Sequence, residues 1–305
     1  MNLGELAPRN LRRQLREQGV LLPCGPFVVR IRTCSEGIAD GLHRLYRDFP
    51  LIPEGDFVDF EVEVRAPGLL RSVVRPQVGF YCEGRAPFKP LPRHQAFPML
   101  EWGLNWVIST HAHDHLVLHA AVLERGGRAL LLSADPGSGK STLCAGLVHS
   151  GWRLLSDELA LVELATGRVR PVARPISLKN ESIEVVRALG GDVELGTVCP
   201  DTTKGAVAHM RPPVDSVVRR HEPALPAWLV FPRFVRGGQL DLQSVGKAQA
   251  FMEMVRHAFN YGFLGGSAFD ALAGLLDRTT IMRASYGDLG QIVPAIDRLT
   301  AADGR

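Results

Sequence analysis

Residues 133–142 read SADPGSGKST, and within them two glycines, a lysine and two adjacent hydroxyls stand close together. That chemistry suits an anion. Gly137 and Gly139 let successive backbone N–H groups turn inward and form a nest for phosphate oxygens. Set against G-x-x-x-x-G-K-[ST], the octapeptide Ala134–Ser141 departs only at its first position. There alanine replaces glycine, a change that a turn with negative φ accepts. Lys140 is then expected to reach the outer phosphates and Ser141 to ligate Mg²⁺, while the following helix sets its positive end beneath the charge. The expected nucleotide-binding set is Asp135, Pro136, Gly137, Ser138, Gly139, Lys140, Ser141 and Thr142, with ATP and Mg²⁺ as the implied ligands.

Seventeen residues after Lys140, the apolar stretch in WRLLSDELAL ends in two adjacent acids, Asp157 and Glu158. A strand–loop–helix–strand unit returns its second strand to the same edge, so its C-terminal end lies beside the phosphate loop. Neighbouring strand residues face opposite ways, so one acid can face the nucleotide while the other faces elsewhere. Two acids against phosphate imply a cation, and Mg²⁺ is the one expected, held by Ser141 and Glu158. His119 arrives by register. A two-residue Gly126-Gly127 turn makes paired positions sum to 253 and places His119 opposite Ala134, where the loop opens.

Several weaker features carry polar chemistry. SLKNES offers Lys179 and Glu181, and DTTKGAVAHMRPP offers Lys204, His209 and Arg211, as substrate-loop or further phosphate contacts or as plain surface loop. HAHDH (111–115) is one residue short of an H-x-H-x-D-H metal motif. Its histidines are expected to finish the preceding helix rather than hold a metal. AFNYGF (258–263) reads as helix-end core.

The elements that must position these residues show in the patterning. ALLL (129–132) is continuously apolar, as in a strand covered on both faces. The helix from Lys140 stacks Leu143 on Leu147 and should stop at Gly151. Further strands are expected at AWLVFPRFV, LDLQSV and TIMRASYG, with helices at about 247–260, 267–278 and 288–299, the last bent or broken by Pro294. Earlier in the chain, FVVRIRT and FVDFEVEVR alternate with a period of two and predict half-exposed antiparallel strands with a helix at 37–49 between them. The Pro-rich stretch 86–98 then leads into another helix. The expected organisation is α/β: an N-terminal α/β domain over residues 1–95 and a P-loop domain over 96–305.

Composition narrows the class. The 305-residue chain is 46% hydrophobic and 22% charged, ordinary for a globular protein. No run of about 18 apolar residues is present, so no membrane span is expected. Five scattered cysteines without a C-x-x-C pair fit reduced thiols in the cytoplasm. The net charge of +3 is small, RNLRRQLR (9–16) reads as a solvated helix face, and no nucleic-acid partner is expected.

Residues 116–164, LVLHAAVLERGGRALLLSADPGSGKSTLCAGLVHSGWRLLSDELALVEL, resemble the catalytic core of HPr kinase/phosphorylase. With RPISLKNES and KGAVAHMRPP, the longer pattern is similar to the group called HPr kinase-related kinase A. The resemblance implies an HPr-kinase-like P-loop core in which His119, Lys140 and Ser141 take the family's roles, Asp157 is the catalytic base and Glu158 stands as its second acid. It implies transfer of the γ-phosphoryl group of ATP to a hydroxyl, with serine of a protein or ribosomal peptide favoured. A small-metabolite kinase of sugar type and a non-enzymatic ATP-dependent switch stand as alternatives, and homo-oligomers occur in the family. RPISLKNESI (174–183) occupies the region of that family's glycine-rich E-I-R-G-L-G signature, so the chemistry carries over better than HPr as the partner.

Overall fold

Alternating and continuous apolar strands build different sheets in this chain, whose computed structural model describes residues 1–302. The N-terminal region holds α1 (Pro8–Glu17), β1 (Val20–Cys24), β2 (Phe27–Thr33), α2 (Glu36–Leu45), β3 (Phe60–Arg65), α3 (Leu69–Val73), β4 (Gln77–Cys82) and β5 (Leu91–Pro92). Its five strands lie in the order β1-β2-β3-β4-β5. In β3, Phe60, Val62 and Val64 are buried, while Glu61, Glu63 and Arg65 face outward. The period of two is therefore real, but the expected antiparallel pairing is not. β2 and β3 run parallel, with Val29 opposite Phe60, because α2 supplies the crossover that parallel neighbours need. In α1 the arginines are exposed and Leu11 and Leu15 are buried, so RNLRRQLR is a solvated face.

The helix after the Pro-rich link, α4 (Ala96–His111), packs Met99, Leu100, Leu104 and Val107 into the same core as the five-stranded sheet. Then follow β6 (His115–Arg125), β7 (Arg128–Ser133), α5 (Lys140–His149), β8 (Arg153–Ser156), β9 (Leu159–Glu163) and β10 (Val169–Arg170). A smaller unit contains β11 (Ile176–Lys179), α6 (Glu181–Arg187), β12 (Cys199–Thr202) and β13 (Gly205–Met210), its strands in the order β11-β13-β12. The chain closes with α7 (Val214–Val218), β14 (Leu225–Phe234), β15 (Asp241–Ser244), α8 (Lys247–Arg256), α9 (Tyr261–Leu264), α10 (Gly266–Arg278), β16 (Thr280–Tyr286) and α11 (Leu289–Ala302).

The main sheet has the order β10-β9-β6-β7-β14-β16-β15, with β8 also on β6. The fold is mixed α/β. Its centre explains the unbroken ALLL run. Leu130 and Leu132 pack on one face with Leu143 and Leu147 of α5, and Ala129 and Leu131 pack on the other with Leu272 and Leu276 of α10. A strand covered on both faces has no position left for a polar side chain.

Two expectations about connectivity need correcting. β8 does not return to the edge of β7. It pairs antiparallel with β6, which lies between them. β7 and β8 still run in the same direction, so both end on the same side of the sheet. Pro294 does not break the last helix, since α11 continues through it to Ala302. Ile292 and Ile296 are buried in the core shared with α5, and that packing outweighs one lost backbone hydrogen bond. Among the described residues, no helix is long and apolar enough to cross a membrane.

Candidate active site

The hairpin register is the one the two glycines dictate. Gly126 and Gly127 have φ of 61° and 78°, and the ladder runs from Arg125–Arg128 to Ala120–Ser133. His119 follows at the mouth of the loop, opposite Leu159 on its other side, with its backbone N–H donated to His257 O at 2.7 Å.

The loop is held by distant strands. Phe234, ending β14, donates its N–H to Ser138 O at 2.9 Å, and the Tyr286 hydroxyl, ending β16, donates to Gly139 O at 3.3 Å. Gly137 and Gly139 both have φ of 88°, and Gly139 immediately precedes α5. A Cβ at Gly139 would sit 2.7 Å from Tyr286 Oη and 3.0 Å from Phe234 Cβ, whereas at Gly137 it would meet nothing within 4 Å. Gly137→Ala is therefore expected to cost about 1–2 kcal/mol of backbone strain. Gly139→Ala should cost more, since buried Tyr286 cannot retreat, and thermal melts of the two variants check the order.

Around the loop five expected residues meet. Lys140 Nζ donates to His119 Nε2 at 3.0 Å, and Ser141 Oγ donates to Asp157 Oδ2 at 3.2 Å. Asp157 Oδ2 also accepts the Ser177 N–H at 3.0 Å. Glu158 lies 3.9 Å from His119 Nδ1 and 3.8 Å from Lys179 Nζ. Asp157 and Glu158 occupy the bend between β8 and β9 rather than a strand end, which lets both carboxylates serve one site. Ser141 is joined to Asp157 and not to Glu158, its expected partner in holding a metal.

Burial and mutual repulsion set the charges. Burial and the Glu158 charge push Asp157 up to about 6, against the pull of Lys140. Burial would also raise Glu158, but Lys140 and Lys179 bring it below the usual carboxylate range. Burial and Lys140 push His119 down to about 4, so its imidazole is neutral and can accept the lysine proton. Burial lowers Lys140 as well, opposed by the two acids.

The remaining expected residues divide. Asp135 is exposed and lies 3.2 Å from His257 Nε2, while Pro136 is exposed and Thr142 is half-buried in the first turn of α5. Ser138 Oγ is buried without a partner among the described residues. Lys179 joins the cluster, and Lys204 stands near it with its ammonium 5.0 Å from the Trp102 ring centroid. Two are not brought in. Glu181 pairs with Arg236 at 2.6 Å on the exposed surface, and Arg211 is taken up by Asp48 at 2.6 Å and Glu194 at 3.0 Å.

Other residues enter unannounced. Ser133 Oγ and His257 Nδ1 are 2.8 Å apart beneath the loop, and Ser177 and Arg174 are buried behind the acids beside His209, which the sequence did offer. Ser177 and His209 sit opposite each other on β11 and β13. The alternation of ISLK and AVAHM is the signal that marks these segments as strands rather than loops. Phe259 and Phe263 are 54% and 72% exposed while Ala258 and Tyr261 pack on the core, so AFNYGF is helix-end core only in part, and Phe259 stands edge-on to His119 at 5.9 Å. His111 ends α4 with Nδ1 on Val107 O, whereas His115 is buried at the start of β6. Among the described residues, no group of three or more His, Cys, Asp or Glu side chains is arranged to hold a metal ion. A Mg²⁺ ion held by one or two protein oxygens and substrate phosphates needs no such group.

No protein-family model matches this chain, and comparison with curated proteins likewise finds no match.

Proposed function

We propose that this protein is an HPr-kinase-like P-loop kinase that transfers the γ-phosphoryl group of ATP to a hydroxyl, with serine of a protein or peptide as the favoured acceptor. The observation that carries the reading is the meeting of Lys140, Ser141, Asp157, Glu158 and His119 at one glycine turn with positive φ at Gly137 and Gly139. A mere nucleotide switch has no need of a buried acid raised to about 6 at that turn.

The residues present fit ATP with Mg²⁺. Ser141 Oγ and the two carboxylates are hard oxygen donors, and the glycine turn leaves room for phosphate. Ser141 and Glu158 would hold the ion, with Asp157 hydrogen-bonded to Ser141 beside them. When bound, Mg²⁺ neutralises charge on the phosphoryl oxygens. Asp157 accepts the proton of the acceptor hydroxyl as the new O–P bond forms. The bond from the γ phosphorus to the bridging oxygen breaks, and ADP leaves with the electron pair. Lys140 exchanges His119 for the phosphoryl oxygens, and neutral His119 does not compete for them.

Incubation with γ-labelled ATP and cell extract tests the reading. Label in a protein band is expected. Label in a small molecule would indicate the metabolite kinase, and label only as free phosphate would overturn the transferase reading. Lys140→Ala should lower transfer about 10²-fold by removing charge stabilisation, with circular dichroism unchanged.

A further inference from the structure

β7 hands its place on the sheet to a segment from far along the chain. Its ladder with β6 ends at Ala120–Ser133, where the chain leaves for the glycine loop. Over His115–His119, β9 holds one edge of β6, and residues 257–260 take the edge that β7 has left. His119 donates its N–H to His257 O at 2.7 Å, Phe259 donates to Val117 O at 2.9 Å, and Leu118 lies antiparallel to Ala258. Asn260 adds its side chain, Oδ1 accepting the Val117 N–H at 3.0 Å and Nδ2 donating to His115 O at 2.8 Å. His257 therefore stands at the exchange point, with its imidazole on the departing chain. Nδ1 lies 2.8 Å from Ser133 Oγ, and Nε2 lies 3.2 Å from Asp135 Oδ1.

Ser133, His257 and Asp135 have the residue types of a hydrolytic triad, but Ser133 is fully buried. A nucleophile has to meet its substrate, so these three do other work. An ionised carboxylate can only accept, so Nε2 carries the proton that Asp135 takes. In the neutral ring Nδ1 then accepts from the Ser133 hydroxyl. One imidazole thus ties the last residue of β7 to the second residue of the loop.

Asp135 opens the turn that aims the loop. Its carbonyl accepts the Ser138 N–H at 3.3 Å, with Pro136 second and Gly137 third at φ 88°, the pattern of a type II turn. Phe234 and Tyr286 fix the far end of the loop through Ser138 O and Gly139 O, and His257 fixes the near end. An anion nest binds best when its N–H groups are already aimed, because ordering them at the moment of binding costs affinity. The same contact occupies a carboxylate, 86% exposed, whose charge would otherwise stand uncompensated beside a triphosphate.

We propose that His257 is a positioning residue for the nucleotide. Through Asp135 it holds the glycine turn in its binding shape, and it acts on nucleotide affinity rather than on the phosphoryl step. The inference rests on the reading of this loop as an ATP site.

Titration of the full chain with a fluorescent, non-hydrolysable ATP analogue and Mg²⁺ tests it. His257→Ala should raise the analogue's Kd about 10-fold, the worth of one hydrogen bond. His257→Gln, whose amide reaches the place of Nε2 and donates to Asp135, should recover most of that loss. In an Asp135→Ala background, His257→Ala should change Kd by less than about two-fold. A histidine that merely packed would gain nothing from glutamine and would not depend on Asp135. Unchanged Kd in His257→Ala, no recovery with glutamine, or the full loss without Asp135 overturns the proposal while the ATP reading stands. A wild-type chain that binds no analogue overturns the ATP reading, and the proposal with it. If His257→Ala fails to fold, His257→Asn replaces it, since its shorter amide reaches Ser133 and not Asp135. That variant must bind the analogue about 10-fold more weakly than His257→Gln, and equal affinities overturn the proposal.

Discussion

Asp157→Asn should lower phosphoryl transfer by about 10²–10⁴-fold, the range for losing a general base, while nucleotide affinity stays within a few-fold. Asparagine keeps an oxygen for the Ser177 N–H and the Ser141 hydroxyl, so the local scaffold survives. The buried charge it removes is one the fold holds at a cost. Asp157 is raised to about 6 in the folded protein, so it stabilises the fold when protonated and loses that contribution as pH rises through about 6. At pH 8 the variant should therefore melt no lower than the wild-type protein. Glu158→Gln should behave differently, raising the Mg²⁺ concentration needed for activity and recovering as Mg²⁺ is added. If excess Mg²⁺ rescues Asp157→Asn and not Glu158→Gln, the two carboxylates exchange roles. That outcome has a structural basis, since Ser141 contacts Asp157 directly. In the wild-type protein kcat/KM should fall as pH drops through about 6, and the Asp157→Asn residual activity should lose that limb.

Arg153→Met should cost about 3–5 kcal/mol, the scale of a broken buried ion pair, and lower Tm by roughly 10 °C. Arg153 on β8 and Glu124 on β6 pair with side chains 4% and 3% exposed. The guanidinium also donates to Arg219 O at 3.0 Å and Glu222 O at 3.1 Å, tying the acid-bearing strand to the chain around α7. Without it, Glu124 keeps the Gly127 N–H at 2.6 Å and Arg219 at 3.6 Å, and the two carbonyls lose their donor. Burial alone would raise Glu124, but Arg153, the Gly127 N–H and Arg219 hold it below its ordinary value. That contribution is present above the unfolded pKa near 4.5 and lost as pH falls through the lower folded value. Arg153→Met should reduce this acid-side loss, with the Gly127 N–H and Arg219 keeping part of it. Removing both charges, in Glu124→Leu with Arg153→Met, should recover much of the stability, and urea melts of the four-member cycle measure it. An Arg153→Met protein as stable as wild type would show that the pair holds nothing together.

The site was legible where its geometry is local. The two glycines at 126 and 127 fix a two-residue turn, the turn fixes the register, and the register carries His119 to the loop. The loop glycines and Lys140 at the start of α5 follow the same short-range logic, whereas the acids after β8 reach the loop with β6 lying between β7 and β8. Alternation likewise marked β2 and β3 as half-buried strands, but not their parallel pairing, which depends on how α2 packs across them.

What the chain determines by itself is therefore the glycine turn, its hairpin and the apolar strand beneath them, because backbone sterics and the period of a strand act over a few residues. Tertiary structure alone decided that β6 separates β7 from β8, that Phe234 and Tyr286 hold the loop, that Arg211 is drawn off to Asp48 and Glu194, and that Ser177, His209 and Arg174 close a polar void behind the acids. Those facts depend on which distant segments share one buried space, and no spacing along the sequence encodes that.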